Sequence, residues 1–333
     1  PNTPMLKSLD IGPLGIHSGF GLRTSGYCPI AFCLLAVLCI GQATGETPAD
    51  PAPQMTVGQS IVLGIVEGLT EYLPVSSTGH LIVTQRLLGI PSSDVANAFA
   101  ICIQGGAIVA VLGLYWRRCR QMVLGLAGRD ADGRRLFINL VAAMLPAVVI
   151  ALPLEGWIKE HLFGGDKWGL WPTVGAWFVG GVAILAVVWK RKKQDKSPVT
   201  GRDLVEMTIK MALIIGLAQC IAMWPGVSRS LATIVGGVLV GLSLPAAVEF
   251  SFLLGVVTLG GATVKDSIEY GPNMLAAYGW PPLIVGFVAA FISAVLAVKW
   301  MVAYLNKHGM AVFGYYRIAI AIVVAVLILS EVI

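Results

Sequence analysis

Charged side chains are scarce in this sequence. Asp, Glu, Lys and Arg together make up 12% of its 333 residues. In soluble domains, about a quarter of all residues are charged. Hydrophobic residues reach 56% and the mean hydropathy is +0.81. This composition excludes an ordinary soluble enzyme and indicates an integral membrane protein.

The patterns of several other protein classes are also missing. The sequence contains no P-loop glycine pattern, no CxxC pair and no zinc-type spacing among its six cysteines. The cysteines lie in or beside apolar runs, so we expect small buried side chains and no disulfide. The net charge of +5 comes from basic residues clustered in short loops between apolar runs, which sets membrane orientation and argues against nucleic-acid binding.

Residues 1–55 are predicted to form a signal-peptide-like extension and linker. Lys7 and Arg23 precede an apolar run at 30–40, small residues follow at 41–45, and a polar proline-rich stretch ends the segment. This order predicts cleavage near Ala43, with an uncleaved membrane anchor as the alternative. Residues 56–333 then form one polytopic membrane domain.

Six apolar runs are long enough to cross a bilayer, which takes about 20 residues. They lie at about 96–116, 136–154, 169–189, 246–264, 281–301 and 311–330. The loops after the first and third runs are rich in Lys and Arg, and the turn after the fifth carries Lys307 and His308, so we expect all three on the cytoplasmic side. The loops around 155–167 and 265–270 have mixed charge and are expected outside.

Two further segments, 57–95 and 203–245, must each begin and end on one side of the membrane. Each holds a polar stretch between two short apolar pieces, which is typical of a re-entrant hairpin. Displaced by 152 positions, the two segments also match at their rare polar residues, although chance matching between glycine-rich apolar stretches is the alternative. We therefore predict an all-α integral membrane protein with six transmembrane helices and two re-entrant helical hairpins. Halves at about 57–190 and 203–333 would form an inverted-topology repeat.

The first polar stretch, residues 67–80, carries two carboxylates four residues apart. On a helix Glu67 and Glu71 share a face. Two close carboxylates repel each other unless a cation or a proton lies between them. The sequence therefore predicts either a site for Mg²⁺ or Ca²⁺, both of which prefer oxygen ligands, or an acid–base pair.

Hydroxyls and an imidazole follow the carboxylates. Pro74 is predicted to end one helix, and Ser76, Ser77 and Thr78 to begin the next, whose free amides would favour an anion. His80 could activate a hydroxyl or accept a phosphoryl group itself, or it could be a hydrogen-bonded core histidine.

The second polar stretch, residues 224–233, carries Arg229 between Ser228 and Ser230, with Gly226 allowing close backbone approach. The planar guanidinium suits bidentate contact with phosphate oxygens. Its apolar flanks argue against a simple cytoplasmic basic residue. Glu249 is a further candidate intramembrane acid, or else a helix-entry residue.

These two stretches resemble the signature motifs of the undecaprenyl-diphosphate phosphatase family of the UppP/BacA type. The resemblance covers the chain from about residue 56 to its end. Residues 249–254 resemble a third family stretch. The chain departs from the family where Ala100 stands at a position that is often acidic, which puts in doubt a role for that acid.

The resemblance implies hydrolysis of undecaprenyl diphosphate to undecaprenyl phosphate at the outer face of a bacterial plasma membrane, with a divalent cation. This reaction would recycle the lipid carrier for peptidoglycan synthesis and confer bacitracin resistance. The resemblance also implies catalytic roles for Glu67, Glu71, Ser77, His80 and Arg229, and metal binding by Glu67 and Glu71. It implies substrate binding by Ser76, Thr78, Ser228, Ser230 and Thr233. The order of Ser77 and His80 as nucleophile and partner stays open.

The implied partners are a polyprenyl diphosphate lipid and the bilayer, with no nucleic acid. The oligomeric state is open, and a homodimer is one candidate. A polyprenyl-phosphate transporter or flippase is the alternative function, because inverted repeats with broken helices are typical of carriers.

Overall fold

The computed structural model describes residues 55–158, 169–194, 197 and 199–333. This part of the chain is helical, and its one extended pairing is an isolated bridge between Arg202 and Leu242. The predicted signal-peptide-like segment lies outside the described residues. In chain order the α-helices are α1 (Val57–Thr70), α2 (Ser77–Leu87), α3 (Asp94–Leu114), α4 (Trp116–Leu126), α5 (Ala131–Ile158), α6 (Trp171–Lys193), α7 (Ile209–Cys220), α8 (Arg229–Leu239), α9 (Leu244–Tyr278), α10 (Trp280–His308) and α11 (Ala311–Leu329).

The prediction of an all-α membrane protein with six spanning helices is confirmed. Six helices in the described part are long and apolar enough to cross a membrane: α3, α5, α6, α9, α10 and α11. Each coincides with one predicted run. Between α9 and α10 the chain turns at Gly279, with φ 71°, and two prolines open the next helix, as suits a first helical turn.

Two predicted loops are wrong in part. Residues 265–270 were expected as an outer loop, but they lie inside α9. The basic loop after the first run contains α4, which begins at Trp116. Hydropathy detects only the apolar length of a helix, whereas its backbone hydrogen bonds continue into polar sequence. The helices therefore extend beyond their apolar segments.

Two helical hairpins are built from helices that are too short to span a membrane. The acidic hairpin is α1, the turn 71–76 and α2. The basic hairpin is α7, the turn 221–228 and α8. Their helices have 14, 11, 12 and 11 residues, all shorter than the roughly 20 that crossing requires. Their re-entry from one membrane face stays a prediction.

Helix α1 ends earlier in the chain than we predicted. A capping box between Thr56 and Gln59 opens the helix, which satisfies its first free amides. Helix α1 ends at Thr70, four residues before Pro74, where we predicted its end. Glu71 still has helical backbone angles and donates its N–H to the Glu67 carbonyl at 2.9 Å, so the two acids keep the predicted four-residue relation.

Each hairpin packs on a spanning helix from the other half of the chain. Helix α1 lies along α10, and α7 lies along α5. A Cβ at Gly64 would come within 2.3 Å of the Gly286 carbonyl, and one at Gly216 within 2.3 Å of the Ala143 carbonyl. Gly64 and Gly216 correspond at the displacement of 152. Tyr72 and Val75 of the acidic turn share one buried apolar cluster with Leu231 and Ile234 of α8, so the two turns meet inside the protein. The inverted relation of the halves stays a prediction.

Candidate active site

The candidate site lies where the turns of the two hairpins meet. The Ser230 hydroxyl, at the start of α8, donates to the Leu73 carbonyl in the acidic turn at 2.8 Å. Ser228 reaches the same carbonyl at 3.4 Å and contacts the Ser230 hydroxyl at 2.8 Å. These contacts join residues far apart in sequence, so the relative position of the two turns is fixed by side chains.

The central contact is an ion pair between the hairpins. Arg229 Nη2 lies 3.0 Å from Glu71 Oε1, and only 12% and 5% of the two side chains are exposed. Arg229 Nη1 donates to the Ser251 carbonyl of α9 at 2.9 Å. The guanidinium also lies over the Tyr72 ring, 5.4 Å from its centroid, in a cation–π contact. The structure thus brings the predicted acid and the predicted phosphate ligand together.

The second oxygen of Glu71 also has two partners. Ser77 Oγ donates to Glu71 Oε2 at 2.5 Å, and Gln104 Nε2 donates to it at 3.2 Å. Gln104 in turn accepts from Thr263 at 3.4 Å. A hydroxyl in contact with a carboxylate is the arrangement that a general base requires. Of the predicted hydroxyls, Ser77 is the one that contacts a carboxylate.

Glu67 is 1% exposed, and neither of its carboxylate oxygens is in a well-formed hydrogen bond, although the side chains of Glu71 and Gln104 lie close enough to interact with it. An unpaired carboxylate in such a place is costly, so a proton or cation is needed beside it. Within the described residues no group of three His, Cys, Asp or Glu side chains could hold a metal by itself. Mg²⁺ is often bound by one or two carboxylates together with substrate phosphates. Glu67 and Glu71 therefore fit either a proton shared between them or a cation that a bound anion helps to hold.

The hydrogen bonds of His80 are to residues other than Ser77. Its Nδ1 lies 2.7 Å from the Ser76 carbonyl, so this nitrogen carries the proton. Its Nε2 lies 2.8 Å from the Tyr316 hydroxyl, and the two rings are stacked at 5.7 Å. Trp177 packs on another side at 5.0 Å. Both ring nitrogens of His80 therefore have partners, and Nε2 accepts a hydrogen bond from the Tyr316 hydroxyl.

The remaining predicted ligands differ in availability. Thr78 is exposed in the first turn of α2. Ser76 is buried and has a φ of 75°. It lies at the N-cap of α2, but its side chain makes no capping hydrogen bond there. The Thr233 hydroxyl donates to the Arg229 carbonyl at 2.9 Å and contacts the Ser251 hydroxyl at 2.7 Å. Together with Ser228 and Ser230, Thr233 supports the turns, because its hydroxyl is already bonded within the protein.

Glu249 lies outside this site. It pairs with Arg118 of α4 at 2.5 Å, and 32% of the Arg118 side chain and 22% of the Glu249 side chain are exposed. An aromatic series lies between the two ion pairs. Tyr72 meets Phe252 edge to face at 5.2 Å, and Phe252 meets Tyr115 in the same way at 5.9 Å.

Several site residues lie outside the two polar stretches. They are Gln104, Ser251, Tyr316 and Arg317, and each lies within one of the predicted apolar spans. Arg317 is fully buried and donates to carbonyls of both turns. A polar or charged residue within a span is itself a signal of function, so Gln104 and Arg317 could have been found.

A hydroxyl on a carboxylate, a guanidinium beside it and a second unpaired carboxylate form a set suited to phosphoryl transfer. The hydroxyl or water supplies the nucleophile, the carboxylate accepts its proton, and the guanidinium stabilises charge on phosphate oxygens.

Comparison with known proteins agrees with this chemistry. The family described as bacitracin resistance protein BacA matches residues 60–323. An undecaprenyl-diphosphatase of Sorangium cellulosum (strain So ce56) is 45% identical over 267 residues, which are 80% of this chain and 84% of that protein. Those of Albidiferax ferrireducens and Deinococcus radiodurans are 43% and 40% identical, over 80% and 81% of this chain and 93% and 94% of theirs.

Proposed function

The chain belongs to the BacA family, and from that premise we propose that it hydrolyses undecaprenyl diphosphate at the Glu71–Arg229 pair. The protein is an undecaprenyl-diphosphatase: it releases inorganic phosphate and leaves undecaprenyl phosphate. Bacitracin resistance fits the name of the family. The lipid monophosphate then returns as a carrier for peptidoglycan synthesis.

The observation that carries the assignment of the site is the shared carboxylate of Glu71. One oxygen faces the guanidinium of Arg229 at 3.0 Å, and the other accepts from Ser77. One carboxylate therefore touches both the group that would bind the phosphate and the group that would attack it.

Binding begins with an exchange of partners. The terminal phosphate of the lipid takes the Nη atoms of Arg229, which the free protein directs at Glu71 and the Ser251 carbonyl. The planar guanidinium of Arg229 suits contact with a phosphate through two parallel hydrogen bonds. Glu71 is thereby released from its ion pair with Arg229 and keeps its contact with Ser77.

The chemical step then uses the freed carboxylate. Ser77 Oγ attacks the terminal phosphorus as its proton passes to Glu71 Oε2. The bond between that phosphorus and the bridging oxygen breaks, and undecaprenyl phosphate leaves. Water next adds to the phosphoserine, the bond to the serine oxygen breaks, and the proton held by Glu71 returns to Ser77. His80, which contacts Ser76 and Tyr316, is the second candidate nucleophile.

A divalent cation, Mg²⁺ or Ca²⁺, would be held by Glu67, Glu71 and the diphosphate oxygens. When bound, it would offset the negative charge that builds on the transferred phosphoryl group. Glu67 supports this role because both of its oxygens lack a hydrogen-bond partner.

The active site is proposed to open toward the outside of the plasma membrane. The argument is the distribution of basic residues: the loops after the first, third and fifth spans carry most of them and are assigned to the cytoplasm. The acidic hairpin, which precedes the first span, then begins and ends outside. Labelling of a Thr78→Cys variant in intact cells with a membrane-impermeant maleimide tests this orientation.

The decisive assay uses purified protein in detergent, undecaprenyl diphosphate and Mg²⁺ or Ca²⁺, with phosphate release as the readout. Wild type is expected to release phosphate, and Glu71→Gln and Arg229→Ala to lower kcat by about 10³-fold, as loss of a charge-stabilising group does in phosphoryl transfer. Arg118→Ala is the matched control, because it removes an arginine from an ion pair outside the site.

The same assay separates the alternative function. If wild type binds the lipid but releases no phosphate, the phosphatase proposal fails and a polyprenyl-phosphate transporter becomes the better assignment. If wild type is active and Arg229→Ala remains as active as Arg118→Ala, the reaction occurs elsewhere in the protein.

A further inference from the structure

Arg317 lies in the second turn of α11, is fully buried, and forms no ion pair within the described residues. A guanidinium without a carboxylate in a spanning helix is costly unless several strong acceptors surround it. Arg317 has three such acceptors, and all are backbone carbonyls.

The three carbonyls come from three different segments. Arg317 Nη1 donates to Pro74 in the acidic turn at 3.2 Å, and Nη2 donates to Gly226 in the basic turn at 2.9 Å. Nη2 also donates to Ala176 of α6 at 2.9 Å. One side chain therefore ties both turns to each other and to a spanning helix.

The two turn carbonyls are equivalent positions. Pro74 and Gly226 correspond at the displacement of 152 that relates the hairpins. Leu73, the residue before Pro74, accepts from Ser228 and Ser230, and Val75, the residue after it, accepts from the Trp177 indole at 2.9 Å. Three consecutive carbonyls of the acidic turn thus each accept a hydrogen bond from a side chain outside that turn. Of these donors, Arg317 is the one that also donates to the Gly226 carbonyl of the basic turn.

Space for the guanidinium is provided by a glycine on α6. A Cβ at Gly180 would come within 2.4 Å of Arg317 Nη2. At Gly175, on the same helix, a Cβ would meet nothing within 4 Å. Replacing Gly180 with alanine should therefore displace the guanidinium without removing its charge, and the same change at Gly175 is the control.

We infer that Arg317 is a positioning residue for phosphate hydrolysis, which holds the two turns in the register that places Arg229 against Glu71. This role rests on the proposed function of that pair. The fork of an arginine reaches carbonyls in several directions at once, and a lysine ammonium of similar length offers one compact donor group. The register should therefore depend on the fork as well as on the charge.

The first experiment measures kcat and KM for undecaprenyl diphosphate in detergent, per mole of folded, monodisperse protein. We expect Arg317→Met to lower kcat about 100-fold, as a misplacement of roughly 1 Å can do. Arg317→Lys should recover part of this loss and stay roughly tenfold below wild type. KM should change less than about threefold, because Arg229, which binds the phosphate, is retained.

The second experiment compares Gly180→Ala with Gly175→Ala. Gly180→Ala should lower kcat about tenfold or more by displacing the guanidinium, whereas Gly175→Ala should stay within about twofold of wild type. This pair keeps the proposal testable if Arg317→Met does not fold.

A spectroscopic readout separates positioning from general support of folding. With 5-fluorotryptophan incorporated, the ¹⁹F resonance of Trp177, assigned through Trp177→Phe, reports on the turn whose Val75 carbonyl its indole contacts. We expect it to shift in Arg317→Met and Gly180→Ala and to stay in place in Gly175→Ala.

Three outcomes decide the inference when wild type is active. Unchanged kcat in both Arg317→Met and Gly180→Ala overturns it. A loss of kcat without recovery by lysine and without a shift of the Trp177 resonance also overturns it, because Arg317 then supports only folding. A loss with partial recovery and a shifted resonance supports it. An inactive wild type would instead contradict the proposed function.

Discussion

The acidic and basic hairpins have similar helix–turn–helix forms, but their polar side chains are used differently. In the acidic hairpin, both Glu67 oxygens and the Tyr72 hydroxyl are buried without a partner. In the basic hairpin, Gln219 Oε1 and Arg229 Nε also lack a partner, but the hydroxyls of Ser228, Ser230 and Thr233 are bonded within the protein. The difference is therefore one of charge and hydroxyls: the acidic hairpin has carboxylate oxygens without a partner, and the hydroxyls of the basic hairpin hold the turns that position Arg229.

The sharpest test of this comparison uses one serine from each hairpin. Ser77→Ala removes the hydroxyl on Glu71 and should lower kcat by about 10³-fold or more, as expected for a nucleophile. Ser230→Ala removes a support for the Leu73 carbonyl and should cost about tenfold or less. Phosphate release and trapping of labelled phosphoenzyme measure both, and equal losses would contradict the division of roles.

The next test concerns the ion pair that joins the hairpins. Glu71→Gln or Arg229→Met alone leaves one charge buried without its partner, which typically costs about 3 kcal/mol or more. The double variant removes both charges and should be less destabilised than either single variant. Thermal or denaturant unfolding in detergent gives the comparison. A double variant with the summed loss would mean that the two residues act independently.

A third test asks whether the hairpins are equivalent as packing units. Gly64→Ala and Gly216→Ala each place a methyl group against a backbone carbonyl, and each should destabilise the fold by about 2 kcal/mol. Gly113→Ala in α3, where a Cβ meets nothing within 4 Å, is the control and should be neutral or mildly stabilising. A large difference between Gly64→Ala and Gly216→Ala would break the equivalence.

The smallest expected effect is on the cation. Glu67→Gln should raise the Mg²⁺ or Ca²⁺ concentration for half-maximal activity at least about tenfold, because loss of a ligand weakens metal affinity at least as much as loss of a supporting group. Gln219, the corresponding residue of the basic hairpin, is also buried with an unpaired oxygen, yet Gln219→Ala should leave the cation requirement unchanged. Cation titrations after chelator treatment measure both.

The spans and the two polar stretches could be predicted because apolar length and rare polar residues are local properties of sequence. The contact of Glu71 with Arg229 could be expected only through the repeat argument, since 158 positions separate them. Gln104 and Arg317 stand out in the sequence as polar residues within spans, but their partners, like those of Ser251 and Tyr316, depend on how helices rotate against one another, which hydropathy does not report. The acceptors of Arg317 are backbone carbonyls, and no sequence pattern marks a carbonyl.

The series Tyr72, Phe252 and Tyr115 separates the reaction centre from the Arg118–Glu249 pair. A plasma membrane stores a voltage, worth about 2.3 kcal/mol per elementary charge at 100 mV, and any continuous water file would discharge it. The three rings meet edge to face, so apolar ring surface lies between the two ion pairs. Moving a charge or a file of water through such a region is costly, and replacing Phe252 with a small side chain would remove part of that barrier.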